Sequence, residues 1–467
     1  MSSGTIAGVT APAFTPTAAT LETAIAFLAQ HPGHGGAVDA ATRREALARY
    51  EALPAPGARP SRGWKYDYAN LPFEDLSWTS DRRSVATSPF AAAAPPDASG
   101  ADHPALQTAS AGGLVHLGAT LLHLRPAQHD MPEAASRRDA RVVILPLADA
   151  AGAAEPALMR ALDTIVDWRG DKFTALATAF QNCGAFVYVP DGVQLDEPIQ
   201  LVFAGAPDDE AVFPHVVVVV GNGARATVLE RHVGAGDPFV CGIVEAHVGE
   251  GAQLDYAVVQ QAGEAARLMF TRGARCDRDG QVRWHLAELG GALARTVLAA
   301  RLDAPGGRAE ASALFFNTGT QHVDLLSGVD HTVGPTTSDT VVRSAATDRG
   351  QGRYVGNIVI RPKAHGSDAS LRDDALLLSK RAHIDSIPAL EIAANDVKAF
   401  HGATVGSLDE DALFYAGTRG IARAEALRLI TLGFFEPVIA RFPSEALRDE
   451  VRSALDRKLD DATELGA

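Results

Sequence analysis

His401 is the residue of this chain whose type and surroundings best suit it to chemistry. It stands in VKAFHGATVGSLDEDALFYAGTRG, residues 397–420, directly before Gly402. Neutral imidazole is a good ligand for iron, and it needs no second ligand from the same chain if another protein supplies the rest. The histidine ends a stretch that alternates and turns like strands, and a strong helix start follows a few residues on. The pattern therefore puts it at a seam between two kinds of structure. Gly402 either lets a partner backbone approach closely or supplies a φ closed to other residues. The competing reading is a core histidine with its hydrogen bonds satisfied.

Other chemistry-bearing residues are weaker candidates. His322, Asp324, Asp330 and His331 offer the imidazole and carboxylate that divalent metals use. Their spacing matches no familiar site, and polar residues alternating along strands usually sit at turns or on solvated faces. The three cysteines, Cys183, Cys241 and Cys276, share no C-x-x-C spacing. That argues against a disulfide framework and against a self-contained cysteine-ligated zinc or iron–sulfur site; each is expected as a buried small hydrophobe. GNG at 221–223 and GEG at 249–251 neither open a helix nor carry the lysine of a phosphate loop. No serine sits in a nucleophile elbow. The reading is of a chain with no catalytic residue, which handles any metal sparsely or with a partner's ligands.

The elements that must position these residues show in the periodicity. GARATVLERH from Gly223, GAQLDYAVVQ from Gly251, GQVRWHLAEL from Gly280 and GRAEASALFF from Gly307 form a weak repeat, its glycines 28, 29 and 27 residues apart. Such a period predicts a solenoid in which each coil covers its neighbour's apolar face. No helix of more than two turns fits between Gly184 and Val405, which favours a parallel β-helix; an antiparallel sandwich is the competitor. Ahead of it, residues 1–182 read as mostly helical. Helical patterns fall at Ala40–Tyr50, at Leu158, Leu162, Ile165 and Val166, and at Phe173, Leu176, Ala177 and Phe180. Between them lie an aromatic cluster (Trp64, Tyr66, Tyr68, Phe73, Trp78), expected to pack this part onto the core, and a flexible linker near 79–113.

The β-helix is assigned to 183–405 and a helical region to 406–467. Ser407-Leu408-Asp409-Glu410 has the form of a capping box. Leu427, Ile430, Phe434 and Val438 make one apolar stripe, with Pro437 kinking or ending its helix, and Leu447, Val451, Leu455 and Leu459 make another. A cut after Gly406 is expected to leave the β-rich core folded. The net charge of −15 argues against a nucleic-acid binder. No apolar run reaches the roughly 18–20 residues that span a bilayer, and the N-terminus lacks a basic leader, so the cytoplasm is the expected location.

ALLLSKRAHIDSIPALEIAANDVKAFHGATVGSLDEDALFYAGTRGIARAEALRLITLGF resembles the signature of the SufB/SufD family of iron–sulfur cluster assembly proteins. QHVDLLSGVDHTVGPTTSD (321–339), DKFTALATAFQNCGAFVYVPDGVQLDEPIQL (171–201) and, more weakly, WKYDY (64–68) support it, so the likeness spans roughly 171–443. The resemblance implies a mainly β fold, a right-handed parallel β-helix flanked by helical ends. SufB-like members carry a cysteine just before the segment matching Asp374–Leu378 and a glutamate in place of Gly402; here Asp373 and Gly402 stand there, which resembles the SufD branch.

That branch implies a non-catalytic scaffold subunit that pairs with SufB, docks the SufC ATPase through its C-terminal region and shares a transient iron–sulfur cluster with SufB. It implies His401 as the cluster or iron ligand at that interface. Family members often have a cysteine where Ala399 stands, so this subunit alone is not expected to hold a cluster. A reduced flavin accompanies some complexes of the family, but no flavin motif is evident. The alternatives are a purely structural homodimer without a cluster role, and a polysaccharide-active β-helix enzyme.

Overall fold

The computed structural model describes residues 13–30, 36–54, 76–78, 110–117, 119–125, 141–153, 155–205, 210–234, 236 and 238–462. The aromatic positions 64, 66, 68 and 73 and the linker residues 79–109 lie outside them, as does the side chain of Trp78.

From Ile199 onward the chain winds back and forth between two parallel sheets, building a β-solenoid of about eight turns. One sheet, called B here, stacks Ile199–Ala204, Arg225–Gly234, Gln253–Ala262, Gln281–Glu288, Arg308–Asn317, Thr337–Ala346, Asp368–Leu377 and finally Lys398–Ser407. The facing sheet, A, ends in His322–His331, Gln351–Ile360 and His383–Ile392. Arg225, Gln253, Gln281, Arg308, Thr337, Asp368 and Lys398 stand in register, so a coil takes 27 to 31 residues. The glycine repeat predicted this winding, with one correction. The left-handed corner residues are Gly223, Gly251, Asp279 and Gly306, so Gly280 and Gly307 follow the corner rather than form it. An aspartate tolerates that conformation well enough to replace the glycine.

Inward-facing residues repeat every second position and stack into columns along the lumen. Val228, Tyr256, Trp284, Ala311, Thr340, Leu371 and His401 form one column. Glu230, Val258, Leu286, Ala313, Val342, Asp373 and Ala403 form the next. Most of both columns is buried. Each fully buried Leu, Val or Phe contributes about 1.5–3 kcal/mol, which no single coil could realise alone.

Helices cover the two outer faces. Helices α1 (Ala18–Gln30), α2 (Ala40–Ala52), α3 (Leu147–Gly152) and α4 (Lys172–Phe180) belong to the N-terminal half. Leu21, Leu47, Trp168, Phe173 and Phe180 bury there against Phe213 and against Phe239 and Ile243 of sheet A. Helices α5 (Glu410–Thr418), α6 (Arg423–Ile439) and α7 (Glu445–Asp461) follow the last strand. Phe435, Val438, Leu447, Val451 and Leu455 bury against Leu314 and Phe316 of sheet B and against Leu378, just past its strand.

Several expectations change. Strands Gly112–Leu117 and Val143–Pro146 join the two sheets ahead of residue 183. α1 was invisible to the periodicity. The pattern at Leu158–Val166 makes only one 3-10 turn, Leu158–Arg160. Its helix is interrupted because Asp163 sits at φ 57 and the Glu245 carboxylate accepts from the N–H groups of Asp163, Ile165 and Val166. The cap of α5 is Asp409, accepting from Asp411 and Ala412, while Ser407 still belongs to the strand. Phe434 is only partly buried; the stripe of α6 runs through Leu427, Thr431, Phe435 and Val438. A cut after Gly406 would strip the apolar cover from sheet B, so the core would not be left intact.

Candidate metal centre

His401 is the fourth residue of strand Lys398–Ser407, with six strand residues after it, so it lies within the sheet and not at a strand–helix seam. Its face follows from its neighbours. Thr404 Oγ1 donates to Asp374 Oδ1 at 2.6 Å on the outer side, where Asp374 also meets Arg343 at 3.1 Å. Ala399 packs on the lumenal core. Alternation then assigns 399, 401, 403 and 405 to the lumen side and 400, 402 and 404 to the outside.

His401 is exposed despite that inward position, because no further coil among the described residues stacks beneath it. The solenoid is open at this end: Lys398–Ser407 is the last strand of sheet B and His383–Ile392 the last of sheet A. Both present an unpaired edge of backbone donors and acceptors among the described residues. Exposed Ile392, Phe400 and Val405 lie along the same rim. Gly402 has an ordinary strand backbone rather than a left-handed one. A Cβ there would lie 3.1 Å from Phe400 Cζ, so the missing side chain makes room for that ring.

One residue diagonal to His401 has no ready explanation. Asp373 pairs with Ala403 and points into the lumen, wholly buried. Neither of its carboxylate oxygens, nor the nearby Ser386 hydroxyl, meets a partner in hydrogen-bond geometry. Burial pushes its carboxyl up to about 7; Ser386 beside it pulls the other way but too weakly to offset the loss of water. Glu230, in the same column, is the opposite case. Burial would raise it too, but Arg272 and His232, both at 2.6 Å, together with the Tyr256 hydroxyl, hold it well below the usual carboxylate range. Sequence reasoning singled out Asp373 only for its alignment; its burial shows in the alternation of SLRDDALL once the register is known.

The other candidates do not converge. His322 Nε2 donates to Asp324 Oδ1 at 2.9 Å and Arg353 to Asp324 Oδ2 at 2.9 Å, in a buried cluster rather than on a solvated face. Asp330 binds Arg361 at 2.8 Å at the surface. His331, also buried, uses both nitrogens on Thr336 (2.8 Å) and Ser338 (2.9 Å), and burial drives it down to about 4. Asp163, His215 and Glu245 lie close enough to surround an ion. Yet Glu245 already accepts from three backbone N–H groups and from His215 Nε2 at 3.0 Å, which makes it a structural staple. Cys183, Cys241 and Cys276 are free and buried, as small hydrophobes should be, and burial raises all three thiols, Cys276 to about 12.

The fold is a two-sheet parallel β-solenoid that carries an exposed imidazole on its last described strand. Residues 202–434 match the SUF system FeS cluster assembly SufBD core domain, and residues 128–201 match the SufBD protein N-terminal region. The chain is 29% identical to the iron–sulfur cluster assembly protein SufD of Bacillus subtilis, over 62% of this chain and 67% of that one. It is 28% identical to SufB of the same organism, over 59% and 60%. A SufBD-family protein of Mycobacterium bovis is 28% identical over 62% of this chain and 75% of its own length. The chain belongs to the SufB/SufD family of the SUF iron–sulfur cluster assembly system. No helix among the described residues is long and apolar enough to cross a membrane.

Proposed function

We propose that this chain is a SufD-like, non-catalytic subunit of the SUF scaffold, acting in the cytoplasm. It pairs with SufB across the open end of its solenoid, docks the SufC ATPase through its C-terminal helices, and presents His401 to an iron–sulfur cluster built between the subunits. The observation that carries this is the placement of His401: lumenal side, last strand, exposed, with no coil beneath. An imidazole held on a rigid strand at an unfinished edge suits a ligand whose companions arrive from another protein. Asp373 and Gly402, standing where SufB-like members have cysteine and glutamate, support the SufD assignment. Exposed Phe414 and Tyr415 on α5 and Leu429 on α6 offer the apolar surface that SufC docking needs.

The test is anaerobic co-expression with SufB and SufC, with complex yield, iron and acid-labile sulfide measured together. The wild-type complex should carry iron and sulfide, and His401→Ala should keep the complex while losing most of both. Undiminished iron in a stable His401→Ala complex would remove the ligand role. An end-to-end dimer of this chain that ignores SufB would favour the structural homodimer.

A further inference from the structure

We propose that Asp373 is a second iron ligand in this chain, forming with His401 a two-residue ferrous site at the open end of the solenoid. The inference rests on the reading of His401 as a ligand, and adds a residue that neither the motif nor the family match assigns.

Asp373 is a buried carboxyl with no counter-charge of its own. A carboxylate stripped of water is tolerated only when it is paired, hydrogen-bonded or metal-bound. Glu230 meets that condition through Arg272, His232 and Tyr256. Asp373, five coils further along the same column, has no cation, histidine or tyrosine of that kind: neither oxygen meets a group in hydrogen-bond geometry, and only the Ser386 hydroxyl beside it lends weak support. A buried acceptor pair with one poorly aligned hydroxyl for company marks a gap shaped for something the chain does not itself provide.

Placement says what fills it. Leu371 pairs with His401 and Asp373 with Ala403, so His401 and Asp373 are diagonal neighbours on one lumenal face. Strand spacing and rise put their Cβ atoms roughly 8 Å apart. A long imidazole arm and a short carboxylate arm can meet on one ion across that distance. His401 is exposed and Asp373 lies one coil deeper, so the open end is the entry path. Imidazole plus carboxylate is a nitrogen–oxygen set that suits ferrous iron and leaves coordination positions open. The site would load iron, the remaining positions being filled by water or by a partner.

The experiment is anaerobic equilibrium dialysis of the full-length chain against ferrous iron, with cobalt(II) absorption as a spectroscopic second readout. The wild type should bind one equivalent and melt at a higher temperature with iron present. Asp373→Asn and the smaller, neutral Asp373→Ser should each weaken binding at least as much as loss of an outer-shell partner does, roughly 10–100-fold. Neither should melt higher on adding iron, and His401→Ala should match them. Because these substitutions remove a buried carboxyl that is costly to ionise, the iron-free Asp373→Asn protein should melt no lower than wild type.

If both Asp373 variants keep wild-type affinity, the inference fails while the His401 reading stands. Binding lost in the Asp373 variants but kept in His401→Ala overturns the two-residue site, and the iron content of the co-expressed complex then judges His401 separately. A wild-type chain that binds no iron also overturns the inference, again leaving that complex to decide the His401 reading.

Discussion

At the residue scale, the same strand position leaves His401 free for its proposed role and dispensable to the fold. The column above it, from Val228 to Leu371, is mostly apolar and covered on both sides, whereas His401 has no coil beneath it. His401→Ala should therefore change stability by no more than about 0.5 kcal/mol, as exposed substitutions do, while the iron of the SufB-containing complex falls sharply. Parallel thermal melts and iron assays on one preparation check both halves. Glu245 is the converse: it touches no proposed ligand but holds three backbone N–H groups. Glu245→Ala leaves those donors unpartnered and should cost about 3 kcal/mol or more, read as a lowered urea midpoint with iron loading of the complex unchanged. The sequence made His401 legible through its motif. It hid Glu245, whose partners lie about 80 residues away in the chain and leave no local periodicity.

At the element scale, α7 is fixed by one lysine as well as by its apolar stripe. Lys458 Nζ donates to Leu289 O at 2.7 Å and to Gln321 Oε1 at 2.5 Å, across the rim of sheet B. Burial drives its pKa down to about 7, against the pull of Glu264 and Asp461. The folded value lies below the unfolded one, so the unfolded chain holds the extra proton between them. The cost of burying the charge is fully present below about pH 7 and fades as pH climbs towards the unfolded value. Stability should rise with pH across that window by at most about 1.4 kcal/mol per unit. Lys458→Met should flatten that part of the profile, measured by urea unfolding between pH 6.5 and 9.5. The stripe of α7 was readable because Leu447, Val451, Leu455 and Leu459 recur at helical spacing and all bury on one sheet. Leu158–Val166 shows the same spacing and still fails as a helix. There a distant carboxylate outbids the local backbone bonds, which a periodicity scan does not see.

At the scale of the whole molecule, helices cover much of the outer face of sheet B and the earlier coils of sheet A, and one end is bare among the described residues. The glycine repeat disclosed the winding because each coil turns on a left-handed corner; it did not disclose that the winding stops uncapped among the described residues, since the last strand, KAFHGATVGS, reads like any other. An uncovered pair of parallel edges is a hazard in a free protein and an asset in an assembling one. The same logic separates the two proposed docking surfaces. α6 and α7 cannot be removed to test SufC binding, because Phe435, Val438 and Leu455 belong to the core. Phe414 and Tyr415, 74% and 60% exposed, can be changed without touching it. Phe414→Asp with Tyr415→Asp should abolish SufC capture while thermal stability and SufB pairing persist. For the open end the corresponding change is Val405→Lys, since Val405 is 47% exposed on the terminal strand and lysine is the usual guard of a bare edge. The variant should fold normally and keep SufC, yet elute from size exclusion without SufB. SufB that still co-elutes at wild-type stoichiometry would move the subunit interface away from the end of the solenoid, and His401 with it.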